Sequence, residues 1–174
     1  MVLKESIKKK YLDLRRELDE EIASLEKLHQ NHMMCKKGCS LCCLSFKVLP
    51  VEYEVIRSEQ THLNKDKADH GDDVCPLLVD NSCSIYPYRP FICRTHGLPL
   101  LYMIDEEWVL SHCELNFSDV DEDYFSETRF HEQDRWNSRL YMLNQEFLNS
   151  QDELPLPEID LIPLADLLKT NRSI

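Results

Sequence analysis

The chain lacks any continuous apolar run of about 18 residues, the length a membrane-spanning helix needs, so no membrane span is read from it. Its amino terminus, Met1-Val2-Leu3-Lys4-Glu5, turns charged at once and has no apolar core of a signal peptide. A cytoplasmic, reducing environment is the expectation. There, clustered cysteines serve as metal ligands or redox groups rather than as disulfides. Basic residues are scarce in the second half. Residues 105–134 hold eleven acids against Arg129 alone, and residues 150–168 hold five acids and no base. Earlier segments are balanced, with seven of each sign over 1–31 and eight of each over 32–104, so the formal charge of −12 belongs to the second half. A field of that sign repels phosphate, which argues against nucleic acid and leaves a basic protein surface as the partner for this face. No internal repeat and no low-complexity segment is present. With 174 residues, of which 43% are hydrophobic, one domain with a modest core is expected over 1–174.

Residues 3–29 contain neither glycine nor proline. Leu3, Ile7, Tyr11, Leu14, Leu18, Ile22, Leu25 and Leu28 recur at threes and fours, which predicts one long helix. The spacing is not a sustained heptad, so the helix is expected to pack on its own domain rather than to form a coiled-coil arm. Ser45–Leu49 suits a short strand. Pro50 suits the first turn of a helix running to about residue 68. Asp80-Asn81-Ser82 and Asp105-Glu106-Glu107 are turn sequences between apolar segments, which predicts two hairpins. Arg89–Arg94 suits one helical turn. A second long helix is expected over 121–149, with acids at its start that favour the helix dipole. The proline-containing tail is expected to run extended and end in a short helix at 164–169. The fold class is thus α+β: a small, mainly helical domain. An N-terminal helix (1–31) and an acidic segment, helix and tail (114–174) flank a cysteine-rich, turn-rich core (32–113).

All eight cysteines lie between residues 35 and 113: Cys35, Cys39, Cys42, Cys43, Cys75, Cys83, Cys93 and Cys113. The first four read Cys35-x3-Cys39-x2-Cys42-Cys43. On an ideal helix they fall at roughly 0°, 40°, −20° and 80°, on one face. Gly38 offers the alternative of a turn, which also lets thiolates converge. Buried free cysteine explains one or two of the eight but not four within nine residues. Thiolate sulfur selects zinc, iron–sulfur clusters or copper(I), and a structural zinc takes four ligands. Eight cysteines therefore fit two mononuclear sites, one site with spare thiols, or one polynuclear cluster. Adjacent Cys42 and Cys43 are awkward ligands for a single tetrahedral ion, because neighbouring side chains diverge. Cys35-x3-Cys39-x2-Cys42 is also the spacing of radical-SAM enzymes, yet only 132 residues follow Cys42 and the strand–helix alternation of their barrel is missing.

His32, His96 and His112 lie near cysteines and are candidates for a nitrogen ligand or for a donor behind one. His29, His62, His70 and His131 have no feature that singles them out. Arg89 and Arg94 flank Cys93, and such cations lower thiol pKa values and offset thiolate charge. Arg89, before Pro90, suits a structural turn. Tyr86, Tyr88 and Phe91 read as core. The acids at 105–134 show no EF-hand spacing and read as a solvated face.

The order of motifs resembles a family. Cys35-x3-Cys39-x2-Cys42-Cys43, Cys75-Pro76-Leu77, Cys83-Ser84-Ile85-Tyr86 and Arg89-Pro90-x2-Cys93-Arg94 are similar to the bacterial cysteine-cluster proteins of the YkgJ type, described as zinc- or iron-chelating. The resemblance spans about residues 35–113. It implies that the motif cysteines chelate zinc or iron, including the option of a [4Fe–4S] cluster, and Cys113 fits it least closely. Some longer relatives are linked to methylation of flagellin lysines, but no additional domain for that is evident. Three functions compete: a metal-binding protein with a structural, carrier or sensing role, a cluster-dependent redox or group-transfer enzyme, and an interaction scaffold held together by metal.

Overall fold

The computed structural model describes residues 1–36, 38–60, 71, 73–126, 128–151 and 160–169. Helix α1 spans Glu5–His29 and buries Ile7, Tyr11, Leu14, Leu18, Ile22, Leu25 and His29 along one stripe. Glu5 in its first turn and Lys27 and His29 in its last complement the helix dipole. The stripe packs on helices α2 (Pro50–Glu59), α3 (Phe91–Thr95) and α4 (Gln133–Asn149) of the same chain, as expected of a helix without a heptad seam. Leu28, expected on the apolar face, is exposed, and His29 takes the buried place beside it.

Around that stripe Val51, Val55, Phe91, Leu98, Trp136, Leu140, Leu143, Phe147 and Leu148 form the main core. A second, smaller cluster holds Val48, Ile56, Cys75, Leu77, Ile85 and Leu164, with Cys43 and Cys83 packed against it. Helix α2 belongs to both, since Val51 and Val55 face the first cluster and Ile56 the second. Pro50 starts it without a lost donor. The Val51 amide, an orphan donor of that first turn, donates to Asn144 Oδ1 at 3.0 Å. Helix α2 was expected to reach about residue 68. It leaves helical geometry at Gln60 (φ −99°, ψ 100°), and residues 61–68 lie outside the described ones.

The strands are short. β1 (Lys47–Val48) pairs antiparallel with β7 (Ile162–Pro163), tying the tail to the segment after the first cysteines. β2 (Leu78–Val79) and β3 (Ser82–Cys83) form the first hairpin, closed by Asp80 and Asn81 at φ 49° and 55°. Both turn residues are left-handed, as a two-residue hairpin requires, so Ser82 belongs to the strand rather than to the turn. β4 (Leu100–Ile104) and β5 (Glu107–Ser111) form the second, closed by Asp105 and Glu106 at φ 48° and 68°. β6 (His131–Glu132) adds to β4 in parallel.

That third strand corrects the helix expected over 121–149. Only Gln133–Asn149 is helical; Glu122–Tyr124 is a 3₁₀ turn. Two interactions outcompete the longer helix. Pairing of His131 with Leu100 holds the backbone extended. Tyr124 and Phe125 turn inward onto Phe117, their rings 6.2 and 5.2 Å from it. The tail ends in a 3₁₀ turn at Leu164–Leu168, and residues 152–159 lie outside the described ones. The α+β class is as expected. No described helix is long and apolar enough to cross a membrane.

Candidate metal centre

The first cysteine segment is a run of turns, not a helix. Cys39 N–H donates to Lys36 O at 3.0 Å, Cys43 N–H to Ser40 O at 2.9 Å and Leu44 N–H to Cys42 O at 3.0 Å. Gly38, at φ 94°, sits where an L side chain is strained. The turns and Gly38 fold this segment back on itself. The later cysteines arrive on ordered elements. Cys75 N–H donates to Cys43 O at 2.9 Å. Cys83 pairs with Leu78 across the hairpin. Cys93 sits in α3, and Cys113 follows the end of β5.

All eight cysteines are free thiols. Burial raises the pKa of six of them, and at five of those six other cysteines add to it. Burial pushes the Cys35 thiol up, hydrogen bonding from Asn116 pulls it down, and Cys113 and Cys39 push it up. Burial also raises Cys42, with Cys35, Cys39 and Cys113 adding to it. Cys43 is pushed up to about 11 by burial first, then by Cys42, Cys83, Cys75 and Cys39. Cys75 is raised by burial and by Cys83. Burial raises Cys83 too, while Arg89 acts in the opposite direction. Cys93 is driven far up by burial, then by Cys75, Glu52, Cys83 and Cys43.

Among the described residues no group of three His, Cys, Asp or Glu side chains is already closed around a point that could hold an ion. The donor set nevertheless fits a soft metal. Six of the eight free thiols have their deprotonation opposed by burial, and five of those six by neighbouring cysteines as well; a bound cation reverses that opposition. Zinc, mononuclear iron or an iron–sulfur cluster is held by such thiolates, and the chemistry supplied is structural cross-linking or, with iron, one-electron transfer.

Two residues that sequence reading passed over shape the site. Asn116 is 1% exposed. Its Nδ2 donates to Gly97 O at 2.7 Å and lies 3.3 Å from Cys35 Sγ, and its Oδ1 accepts from Met34 N–H at 2.8 Å. It also donates its own amide to Cys113 O at 2.9 Å. Asn116 therefore ties Cys35, Cys113 and the loop after α3 together, through its side-chain amide and its backbone N–H. Proximity to Cys113 was its only sequence signal. His29 is the other. Its Nε2 lies 2.9 Å from Arg129 O, so this nitrogen carries the proton, and Nδ1 accepts from Tyr124 O–H at 2.9 Å. Burial lowers its pKa, in keeping with that neutral form. His29 thereby ties Tyr124 and Arg129 to the end of α1.

Gly97 has φ 95°, and a Cβ there would stand 2.7 Å from Cys35 Sγ. Gly97→Ala is therefore expected to displace the Cys35 sulfur and to cost about 1–3 kcal/mol in backbone strain. Urea unfolding of the two proteins checks this, and equal midpoints would contradict it.

The histidine candidates divide. His32 Nδ1 lies 2.8 Å from Asp119 Oδ2, and its ring packs on Tyr124 at 4.9 Å. His112 stacks on Phe125 at 5.5 Å. His96 stacks on Phe46 at 5.2 Å and leaves a buried Nε2 without a partner. Arg94 is a clamp rather than a charge facing the thiols: Nη1 donates to Asp19 at 2.6 Å, Nη2 to Pro87 O at 2.6 Å and Nε to Arg89 O at 2.8 Å. Arg89 lies over the Tyr86 ring at 4.0 Å. Phe91 is core, as expected, and Tyr88 is half-buried, but Tyr86 is 59% exposed because it serves as the platform for Arg89. The turn at Asp105-Glu106-Glu107 is solvated, as expected.

All eight cysteines lie within one turn-rich stretch, the hallmark of a cysteine-cluster domain. Residues 34–114 match the model of the CxxCxxCC family, described as a putative zinc- or iron-chelating domain. That matched segment contains all eight cysteines, and Asn116 lies just beyond it. No curated protein and no solved structure matches the chain.

Proposed function

We propose that this chain is a cytoplasmic metal-binding protein that holds zinc or iron through Cys35, Cys39, Cys42, Cys43, Cys75, Cys83, Cys93 and Cys113, in a structural, carrier or sensing role. The supporting observation is that residues 34–114, which carry all eight free cysteines, match the model of a family described as a putative zinc- or iron-chelating domain. Free thiols gathered in this way from four separate stretches of chain have a common use in binding a soft cation. An iron–sulfur cluster is the finer form of the proposal, since its four thiolate ligands are of the kind present.

Protein purified without oxygen is expected to carry stoichiometric zinc or iron by elemental analysis. Iron accompanied by acid-labile sulfide and a brown colour identifies a cluster, whereas a colourless protein with zinc identifies a structural ion. Freshly made protein containing neither metal contradicts the proposal.

A further inference from the structure

We infer that the free edge of β5 is a docking site for a lysine- or arginine-bearing extended segment of another protein, which adds to it as a further strand. Docking there does not require the chelation proposed above.

The sheet runs β5-β4-β6, so among the described residues β5 has a strand on one side only. Backbone direction shows which of its groups are open. Pro99 O accepts from His131 N–H, and Met103 N–H donates to Asp134 Oδ2 at 2.7 Å, so residues 99, 101 and 103 turn their backbone groups to the β6 side. Leu100, Tyr102 and Ile104 therefore turn theirs toward β5, where they face Ser111, Val109 and Glu107. Trp108 and Leu110 alternate with these bonded residues, and their N–H and C=O groups point away from β4, along the open edge.

Proteins ordinarily shorten or cover such an edge, or guard it with proline or lysine. β5 contains neither residue, and its one charge, Glu107, stands at its start. Its second residue is Trp108, which is 63% exposed. Cross-strand partners share a face, so Trp108 stands beside Met103 and Leu110 beside Leu101. Met103 and Leu110 are exposed as well. The other face of the hairpin holds Leu100, packed on the main core, so the Trp108 face is the outer one.

Charge selects the occupant. Asp105, Glu106 and Glu107 are exposed at one end of β5 and Glu114 beyond the other, and no lysine or arginine occurs from 105 to 128. A second copy of the chain, paired antiparallel about Val109, would set Asp105 and Glu106 beside Glu114. A parallel pair would set the two acidic turns together. Like charges oppose both. A cationic segment is instead attracted at both ends of the edge. In an added strand the backbone bonds to Trp108 and Leu110, and alternate side chains fall on the Trp108 face. The segment that fits therefore alternates apolar residues with lysine or arginine.

The probe is a short capped peptide of alternating valine and lysine, added to the full-length chain purified without oxygen. Trp136 is buried, so a blue shift of tryptophan emission reports the covering of Trp108. The lysine peptide is expected to give that shift and to bind at least about tenfold more tightly than its glutamate counterpart. Its affinity should fall about tenfold between low salt and about 0.5 M salt. N-methylating the peptide's amides, which keeps its charge and side chains, is expected to remove binding. Trp108→Ala should weaken binding about tenfold with the far-ultraviolet circular dichroism unchanged. Absence of binding by the lysine peptide means that the acids only guard the edge against other strands, and overturns the proposal. Equal binding of the methylated peptide overturns strand addition, because charge alone then suffices. A dimer in analytical ultracentrifugation that Trp108→Ala dissociates names a second copy as the occupant and overturns the basic partner. The peptide comparisons on the native chain decide independently of how the variant folds.

Discussion

Cys75→Ser is expected to lose bound metal and to leave the chain largely unfolded at neutral pH. Cys75 is 8% exposed and sits in the second hydrophobic cluster between Leu77, Ile85 and Ile56. Its amide and carbonyl bridge Cys43 and Leu78, so it joins the first cysteine segment to the first hairpin. A structural thiolate site contributes about 10–16 kcal/mol of apparent binding free energy, and that energy is coupled to folding. The whole net stability of a domain is about 5–15 kcal/mol, so weakening one such site is a change of the same size. The serine hydroxyl adds a buried polar group, at about 1–3 kcal/mol if it finds no partner. Metal content and far-ultraviolet circular dichroism, measured with and without added zinc, check the result. Cys35→Ser, at an exposed position, is expected to keep the fold. Full metal content and an unchanged urea midpoint for Cys75→Ser would remove Cys75 from the ligand set.

Features written in local sequence were legible. The stripe of α1 follows from threes and fours without a breaker, and Pro50 marks the start of α2. Both hairpins follow from Asp-Asn and Asp-Glu pairs, residues that tolerate the left-handed region better or stand where a two-residue turn demands it. The cysteine spacing pointed to a thiolate site, and the family match over 34–114 agrees with the motif order. Features that depend on distant partners were not legible. The pairing of Lys47–Val48 with Ile162–Pro163 joins two-residue strands more than a hundred residues apart, too short for any periodicity to register. The span 121–132 has apolar residues at helical spacing, but its rings are taken by Phe117, His29 and His112 instead. Asn116 reads in sequence as an ordinary polar residue, and only folding places its amide against Cys35 and Gly97. Arg94 read as a cation for thiolates, whereas three hydrogen bonds hold its guanidinium to Asp19, Pro87 and Arg89.

The buried carboxyl of Glu52 makes the stability depend on pH. Glu52 is 3% exposed in α2, and its Oε1 accepts from Tyr11 O–H at 2.9 Å and from Phe91 N–H at 2.8 Å. These bonds join α1, α2 and α3. Burial raises its pKa to about 7, against the two hydrogen bonds and the charges of Arg94 and Arg15, which lower it. The folded form thus holds a proton that the unfolded chain releases near 4.5. Stability from this group is therefore fully present below pH 4.5 and is lost as pH rises through about 7. At about 1.4 kcal/mol per pKa unit, the loss is on the order of 3 kcal/mol. Glu52→Gln keeps an oxygen for Tyr11 and Phe91 but has no proton to lose. Relative to the native protein at equal metal content, it is expected to gain about 2.5 kcal/mol between pH 5 and pH 8. Urea unfolding of both proteins at the two pH values measures that difference. The same difference at both values would mean that Glu52 is ionised in the folded chain, in which case Arg94 and Arg15 outweigh burial at this carboxyl.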